Sequence, residues 1–347
     1  MRTGKLAPEL LARLLKTIPR GDPRVLLAGS VGEDAAALDF MGDGSSGSPD
    51  DSILVAKTDP ITFATDHAGW YAVHVNANDV ACTGAAPRWF LASALLPETW
   101  EERDVERLFA QIVEACQSLG ASLVGGHTEV TGGIDRPLIA GTMLGEVPRR
   151  RLIRTGGGRA GDALILTQGI AIEGTSVLAR EAAETLRERG LTVETIERAQ
   201  QLLFEPGISV VRAARVLGDA LPEGALHSLH DPTEGGLATG LWELAHASDC
   251  GALVEESAVP VLPETRAMCD ALGLESWGLL ASGSLLAAVE PANAQAAVQA
   301  LRAASIPAAV VGYLTPPSEG IKLRRAAGDA APWPTFERDE IARYFDS

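Results

Sequence analysis

Several features that define common protein classes are scarce or missing in this sequence. Its four cysteines, Cys82, Cys116, Cys250 and Cys269, are too far apart in the 347 residues for a paired metal motif or a disulfide framework. No uncharged apolar run is long enough to span a bilayer, and the amino end has no signal-peptide core. We therefore expect reduced thiols, no membrane association and a cytoplasmic location.

Positive charge is also scarce. Lys and Arg number 29 against 46 Asp and Glu, which gives a net charge of −17. Bulk charge therefore argues against a nucleic-acid partner. A substrate rich in phosphate would have to be bound through local cations or metal ions.

Four familiar functional signatures are absent. The sequence has no Walker lysine loop, no dinucleotide-binding glycine fingerprint and no zinc-type pair of helical histidines. The glycine run at 156–158 is therefore not a P-loop. The segment 281–284, Ala-Ser-Gly-Ser, lacks the glycine that a serine-hydrolase elbow places two residues before its serine, and we interpret it as a tight turn.

The pattern of helices and strands predicts α+β layers rather than a doubly wound sheet, because strands and helices do not alternate strictly. A glycine-rich connection near residue 155 suggests two domains. The predicted strands begin near Ile53 and cover 90–96, 121–124, 138–147, 163–166 and 285–289. The predicted helices cover 71–84, 101–119, 173–189, 208–217 and 238–247.

Five polar clusters join acidic residues to glycines or small residues where strands end or helices begin, and active-site groups are common at such places. They cover residues 29–37, 57–60, 76–81, 125–129 and 230–237. Mg²⁺ takes several oxygen ligands and usually bridges carboxylates to phosphates. Asp34, Asp59, Asp79 and Asp231 are therefore candidate ligands of one ion.

Each cluster also has a simpler structural explanation. Asp59 before Pro60 is typical of a cap or turn, and the cluster at Asp34 is equally consistent with an acidic turn. Asn76 and Asp79 are poor helix formers inside a helical pattern, which indicates either a metal-phosphate site or a buried polar network.

The glycine pairs leave similar alternatives open. We expect Gly125-Gly126 to form a backbone-exposing turn that carries His127 and Thr128. The pair Gly235-Gly236 would let either a ligand or another backbone segment approach closely.

Taken in order, five motifs resemble the AIR synthase (PurM-like) superfamily, and most closely its hydrogenase maturation factors of the HypE type. The motifs are Gly4-Lys5-Leu6, Gly32-Glu33-Asp34-Ala35-Ala36, Asn76-Ala77-Asn78-Asp79-Val80-Ala81, Ile172-Glu173-Gly174-Thr175 and Asp231-Pro232-Thr233-Glu234-Gly235-Gly236.

This resemblance implies a two-domain α+β fold. Residues 1–155 would bind ATP and form a β-barrel shared between the two chains of a homodimer, and residues 156–347 would form the second domain. It also implies Mg²⁺ at the four aspartates. The implied nucleotide-contacting residues are Gly32, Asn76, Gly126, His127, Thr128 and Arg154, and the candidate catalytic residues are Lys57 and His127.

Two departures from the family pattern qualify these implications. Thiamine-phosphate kinases of the superfamily carry Asp where this chain has His127, which argues against metal ligation there. HypE proteins end in a cysteine that accepts a carbamoyl group, whereas the last cysteine here is Cys269. We therefore expect the thiol to come from another protein, or the substrate to differ.

Our leading hypothesis is an ATP-dependent enzyme of the phosphoryl-transfer or dehydratase type that activates a small substrate. The alternatives are a HypE-like maturation protein that acts with a partner protein, and a nucleotide-binding partner with little turnover.

Overall fold

The computed structural model describes residues 8–17, 22–28, 30–41, 48–62, 66–325 and 328–346. Two predicted features, the motif Gly4-Lys5-Leu6 and Gly29 of the first acidic cluster, lie outside these residues. The chain forms two compact units. The amino-terminal unit comprises Arg20–Gly29 and Asp34–Leu152, and the carboxy-terminal unit comprises Met1–Pro19, Ser30–Glu33 and Ile153–Ser347. The assignment of domains to 1–155 and 156–347 stays a prediction.

The chain opens with helix α1, Pro8–Leu15, which belongs to the carboxy-terminal unit. The elements of the amino-terminal unit follow. They are β1 (Val25–Leu27), β2 (Ala36–Leu38), β3 (Ser52–Ile61), α2 (Ala68–Cys82), β4 (Ala86–Pro97), α3 (Glu102–Leu119), β5 (Ser122–Thr131) and β6 (Leu138–Pro148).

The strands of the amino-terminal unit form one sheet in the order β1-β2-β3-β6-β4-β5. Neighbouring strands are antiparallel except β4 and β5, which are parallel and are joined through α3. Burial on β6 alternates, with Ile139, Met143 and Val147 buried and the residues beside them partly or fully exposed. This period of two matches a sheet with one face packed under helices and one open face.

The carboxy-terminal unit contains the remaining elements. Its strands are β7 (Ala163–Thr167), β8 (Leu226–His230), β9 (Gly251–Glu255), β10 (Leu286–Val289), β11 (Ala308–Thr315), β12 (Ile321–Arg324) and β13 (Ala330–Pro332). Its helices are α4 (Ile172–Glu181), α5 (Ala183–Glu188), α6 (Val193–Gln201), α7 (Val211–Ala220), α8 (Gly236–Ala247), α9 (Pro263–Leu272), α10 (Ala294–Ala303) and α11 (Glu340–Phe345).

The second sheet has the order β13-β12-β9-β11-β7-β10-β8. Its central strands β7 and β10 are buried along their whole length, which explains the unbroken apolar runs at 163–166 and 286–289. Side chains of α8 pack into the same core, and the Trp333 indole N–H donates to the Ala238 carbonyl at 2.8 Å. Among the helices that the structure describes, none is long and apolar enough to cross a bilayer.

Two predicted elements need correction. The helix predicted at 173–189 is divided into α4 and α5, with a break at Ala182. The strand predicted at 121–124 continues to Thr131, because residues 125–131 pair with β4 instead of turning. The turn predicted at Gly125-Gly126 is therefore wrong.

Candidate functional site

The amino-terminal unit places a lysine and an aspartate on the helix-covered face of β3. Ile53 and Val55 are fully buried on this face, and the period of two along the strand puts Lys57 and Asp59 on it as well. The side chain of Lys57 is about one-fifth exposed and that of Asp59 more than one-third. The strand thus leads from the core to a partly open polar end.

Helix α2 lies close to this end of the strand because of glycines on the neighbouring strand β6. A Cβ atom at Gly141 would lie 2.5 Å from the Asn76 amide nitrogen and 2.9 Å from the Ala72 carbonyl. A Cβ atom at Gly145 would overlap the side chain of Val80. The absence of these side chains lets α2 rest directly on the sheet.

Asn76 connects α2 to β3. Its amide oxygen accepts the Asp59 backbone N–H at 2.8 Å, and its amide nitrogen donates to the carbonyls of Ala72 at 2.9 Å and Asp59 at 3.2 Å. Asn76 is fully buried. Its hydrogen-bonding groups are therefore used to hold the backbone of Asp59, which favours an orienting role over direct contact with a nucleotide.

Asp79, three residues further along α2, faces Lys57. The Lys57 ammonium lies 2.8 Å from the Asp79 carboxylate and 3.2 Å from that of Asp59. Burial alone would lower the pKa of Lys57, but Asp79 and Asp59, with a contribution from Asp34, raise it above its ordinary value. Lys57 is therefore firmly charged.

The pKa of Asp79 is raised above its ordinary value, first by burial and then by the charges of Asp59 and Asp34, while Lys57 opposes the rise. Three carboxylates and one ammonium leave this group with two uncompensated negative charges when all are ionised. We call Asp34, Lys57, Asp59 and Asp79 the acidic cluster. The arrangement is an oxygen-rich site whose charge favours a further cation.

His127 does not join the acidic cluster within the chain. In the register of the sheet, Asp59 lies opposite Gly141, Gly141 opposite Ala92, and Ala92 opposite Gly126. Gly126 is thus three strands from Asp59, or about 14 Å. The next residue, His127, projects to the other face of the sheet, since it pairs with the exposed Ser93.

The surroundings of His127 are open. Its ring nitrogen Nε2 lies 3.0 Å from a carboxylate oxygen of Glu129, and both side chains are more than half exposed on the edge strand. Gly126 has a φ of 147°, and a Cβ atom there would overlap the Ala92 carbonyl. The sheet itself therefore requires this glycine, and contacts of Gly126, His127 and Thr128 with a nucleotide stay predictions.

Gly32 and Arg154 lie in the carboxy-terminal unit. A Cβ atom at Gly32 would lie 2.9 Å from the Glu243 carbonyl of α8, so close packing explains this glycine. The neighbouring Glu33 accepts the Thr155 backbone N–H at 3.2 Å and lies 3.4 Å from the Arg154 guanidinium. Most of the Arg154 side chain remains exposed, and its contact with a nucleotide stays a prediction.

Asp231 follows strand β8 in the carboxy-terminal unit and is buried. Next to it, His230 Nε2 lies 3.1 Å from a carboxylate oxygen of Glu243 on α8. The prediction that Asp231 shares one ion with Asp34, Asp59 and Asp79 stays a prediction.

The glycines after Asp231 accommodate the chain's own backbone. Gly235 and Gly236 have φ angles of 78° and 64°, and a Cβ atom at Gly236 would overlap the Trp277 carbonyl and lie 2.8 Å from that of Leu279. Of the two alternatives left open by the sequence, close approach by a backbone segment is therefore the one observed at Gly236.

Two motifs of the family resemblance meet here through a third segment. The Gly174 N–H donates to the Leu280 carbonyl at 2.9 Å, and the Ala281 N–H donates to the Thr233 carbonyl at 3.2 Å. We call the segments 172–175, 233–236 and 279–282 the glycine junction. The predicted turn at 281–284 contributes to it, with Gly283 at a φ of 108°.

Two carboxyl groups at the junction have raised pKa values. Burial raises the pKa of Glu173 to about 7, a hydrogen bond with Ser282 opposes this, and Glu234 and Asp339 add to it. Burial raises the pKa of Asp339 to about 6 against the lowering effect of three backbone N–H donors. Sequence reasoning did not select Glu33 or Asp339 as site residues; an Asp directly before the last helix was the only signal for Asp339.

The fold and these sites define a mixed α+β protein with an acidic cluster in one unit and a glycine junction in the other. Residues 32–147 match the family model "AIR synthase related protein, N-terminal domain", and residues 159–323 match "AIR synthase related protein, C-terminal domain".

Individual relatives agree with this match. The chain is 30% identical to the carbamoyl dehydratase HypE of Rhodobacter capsulatus, over 94% of this chain and 91% of that protein. It is 33% identical to the carbamoyl dehydratase HypE of Cupriavidus necator, over 70% of this chain and 66% of that protein. A crystal structure described as hydrogenase maturation protein HypE in complex with ATP is 25% identical, with a TM-score of 0.70 and 98% of each chain covered.

The chain therefore belongs to the AIR synthase related family, and within that family it is similar to the HypE carbamoyl dehydratases. The predicted superfamily and its two-domain α+β fold are confirmed. The prediction of an ATP-dependent, dehydratase-type enzyme is confirmed at the level of this family. The shared barrel and the homodimer stay predictions.

Proposed function

We propose that this protein is a Mg²⁺-dependent enzyme that uses ATP to activate an amide or carbonyl oxygen of a small substrate by phosphoryl transfer. The observation that carries the proposal is the acidic cluster, in which Lys57 lies between the carboxylates of Asp59 and Asp79 and a surplus of negative charge remains. The HypE relatives, named carbamoyl dehydratases, support an amide of the carbamoyl class as substrate.

Mg²⁺ fits the donor set, because it prefers oxygen ligands and commonly bridges one or two carboxylates to phosphates. Asp34, Asp59 and Asp79 would hold it, with Asp231 as a further predicted ligand. When bound, the ion would neutralise charge on the phosphate oxygens during transfer.

The chain's own residues orient and balance the site. Asn76 fixes the backbone of Asp59, so that its carboxylate keeps a defined position. Lys57 limits repulsion between the carboxylates, and its ammonium can also attract a phosphate oxygen. These are contributions of positioning and electrostatics, which dominate catalysis of phosphoryl transfer.

The proposed reaction is balanced with ATP as the only co-reactant. The amide oxygen bonds to the γ-phosphorus as the bond from that phosphorus to ADP breaks. The carbon–oxygen bond then breaks, its electron pair leaves with phosphate, and the nitrogen loses its protons. The products are a nitrile, ADP and phosphate. A maturation partner protein could supply the carbamoyl group, in keeping with the hydrogenase role in the names of relatives.

Thermal unfolding with ATP tests this proposal. Mg²⁺ and ATP together should raise the Tm of the wild-type protein. At a hundredfold excess of ligand over Kd, binding stabilises the folded state by about 3 kcal/mol. Asp79→Asn should lose most of this shift, whereas Asp135→Asn should keep it, since Asp135 is an exposed loop residue. Equal stabilisation by ATP in chelator would refute the metal assignment.

ATP turnover separates an enzyme from the alternative of a nucleotide-binding partner protein. ADP release should increase when a small carbamoyl compound is added, and Asp79→Asn should abolish the increase. If ATP binds but carbamoyl compounds never accelerate its turnover, the enzymatic proposal fails and the nucleotide-binding alternative is favoured.

A further inference from the structure

Asp339 lies just before α11 and holds together three separate parts of the carboxy-terminal unit. Its carboxylate accepts backbone N–H groups from Gly235 at 2.6 Å, Leu280 at 3.3 Å and Ile341 at 2.8 Å. Two of these donors belong to the glycine junction. One side chain thus connects the loop after Asp231, the turn before β10 and the last helix.

The bond to Asp339 adds to the restraints on the glycine-containing loop after Asp231. Gly235 and Gly236 both have positive φ angles, and glycine has wide conformational freedom in the absence of other restraints. The Gly235 N–H is one of the free donors at the start of α8, and the Asp339 carboxylate is its acceptor. The bond therefore fixes where the loop ends and the helix begins.

Asp339 is itself held firmly. Ile341 and Ala342 of α11 are buried. Glu340 accepts the Glu275 N–H at 2.9 Å, and Arg343 pairs with Glu340 and donates to the Gly273 carbonyl at 2.8 Å. The helix is anchored independently of the Asp339 carboxylate, so the carboxylate can serve as a fixed acceptor.

From this geometry we propose that Asp339 is a positioning residue, which sets the conformation of the loop from Asp231 to Gly236 and thereby places Asp231 for nucleotide binding. Only the second half of this inference, the placement of Asp231 for nucleotide binding, rests on the proposed function. The first half, control of the loop, concerns the protein alone and has its own measurement.

Amide hydrogen exchange of the full-length protein tests the first half. In Asp339→Asn, which has the same shape but no charge and one oxygen acceptor fewer, the amides of Gly235 and Leu280 should exchange at least about tenfold faster than in the wild type. Exchange in β7 should not change. The control Asp346→Asn alters an exposed ion pair with Arg338 in the same segment and should leave both amides protected. Unchanged exchange in Asp339→Asn would overturn the proposal.

Kinetics and stability test the second half. Asp339→Asn should lower kcat for ATP turnover by about tenfold or more. Its Tm should not fall, because the substitution removes a half-buried charge. Parallel losses of activity and Tm would instead indicate a merely structural role and overturn the positioning role.

The pH profile adds a readout specific to this carboxyl group. Wild-type kcat should fall as the pH is lowered through about 6, the pKa of Asp339, because the protonated group is a weaker acceptor. Asp339→Asn should lack this step. Asp79, Glu234, Glu173 and the Glu340–Arg343 pair remain in the variant, so a retained step would belong to one of these groups and count against Asp339. If wild-type protein binds no Mg²⁺ and ATP, the proposed function fails while hydrogen exchange still decides the role of Asp339 in the loop.

Discussion

The acidic cluster and the glycine junction both bury carboxyl groups, but they compensate the charge differently. In the cluster the compensating group is the side-chain ammonium of Lys57, which contacts Asp59 and Asp79. At the junction the Asp339 carboxylate accepts fixed backbone N–H groups. A side-chain cation can move aside or be joined by another cation, whereas backbone donors only hold a carboxylate in place. We infer that the acidic cluster can take up a further cation, whereas the glycine junction keeps one conformation.

Removal of the lysine should give the largest effect. Lys57→Met leaves Asp59 and Asp79 without the cation that contacts them, and loss of one partner of a buried ion pair costs about 3 kcal/mol or more. Urea unfolding at pH 8 should show this loss, and Mg²⁺ should recover part of it. The exposed Lys322→Met on β12 is the control. Wild-type stability of Lys57→Met at pH 8 would show that the carboxylates do not depend on the lysine.

A smaller effect of opposite sign is expected at the junction. The pKa of Glu173 in the folded protein, about 7, lies above its value in the unfolded chain, so the folded state binds the proton more tightly. Stability should therefore be greatest below the unfolded pKa and be lost as the pH rises towards 7 and above. Glu173→Gln should stabilise the protein by on the order of 2 kcal/mol at pH 8 and have almost no effect at pH 4.

Chemical denaturation of Glu173→Gln at both pH values measures this difference. The exposed Glu197→Gln on α6 should show no such pH dependence. A uniform destabilisation at both pH values would mean that Glu173 acts as a hydrogen-bonding group and not as a buried charge.

The smallest effect is expected for the exposed pair on β5. Glu129→Gln removes the charge opposite His127, and ion pairs between exposed side chains contribute little because water screens them. No change in Tm should be measurable. A clear drop in Tm that grows with protein concentration would mean that this strand is covered in a dimer, and sedimentation of wild type and variant would then show a difference.

Much of the fold could be predicted because local patterns and the tertiary structure agree. The alternating strands around Ile53 and 138–147, and the helices near 71–84 and 101–119, all lie where their periodicity placed them within a few residues. The predicted conformation was wrong at 125–131, where two glycines indicated a turn. The parallel pairing with β4, which involves residues far away in the chain, determined the conformation there.

The site could be predicted less well, because it depends on which face of an element a residue occupies. The sequence predicted Asp59 and Asp79 as ligands of one ion and Lys57 only as a candidate catalytic residue, and the structure places the Lys57 ammonium between the two carboxylates. The open choice for Asn76 and Asp79, between a metal-phosphate site and a polar network, is answered in part, since Asn76 belongs to a network. His127 lies on the opposite face of the sheet from Asp59 because of strand alternation, and its predicted contact with a nucleotide stays a prediction.

The two glycines of β6 beneath α2 have a consequence for protein engineering. Gly141 and Gly145 carry no functional group, yet they set the distance from which Asn76 reaches β3. A designer who copied only the acidic residues and the lysine onto another helix-covered sheet would keep the helix from approaching the strand closely enough for the Asn76 hydrogen bonds. A design that reproduces this site must therefore include the two strand glycines as well as the charged side chains.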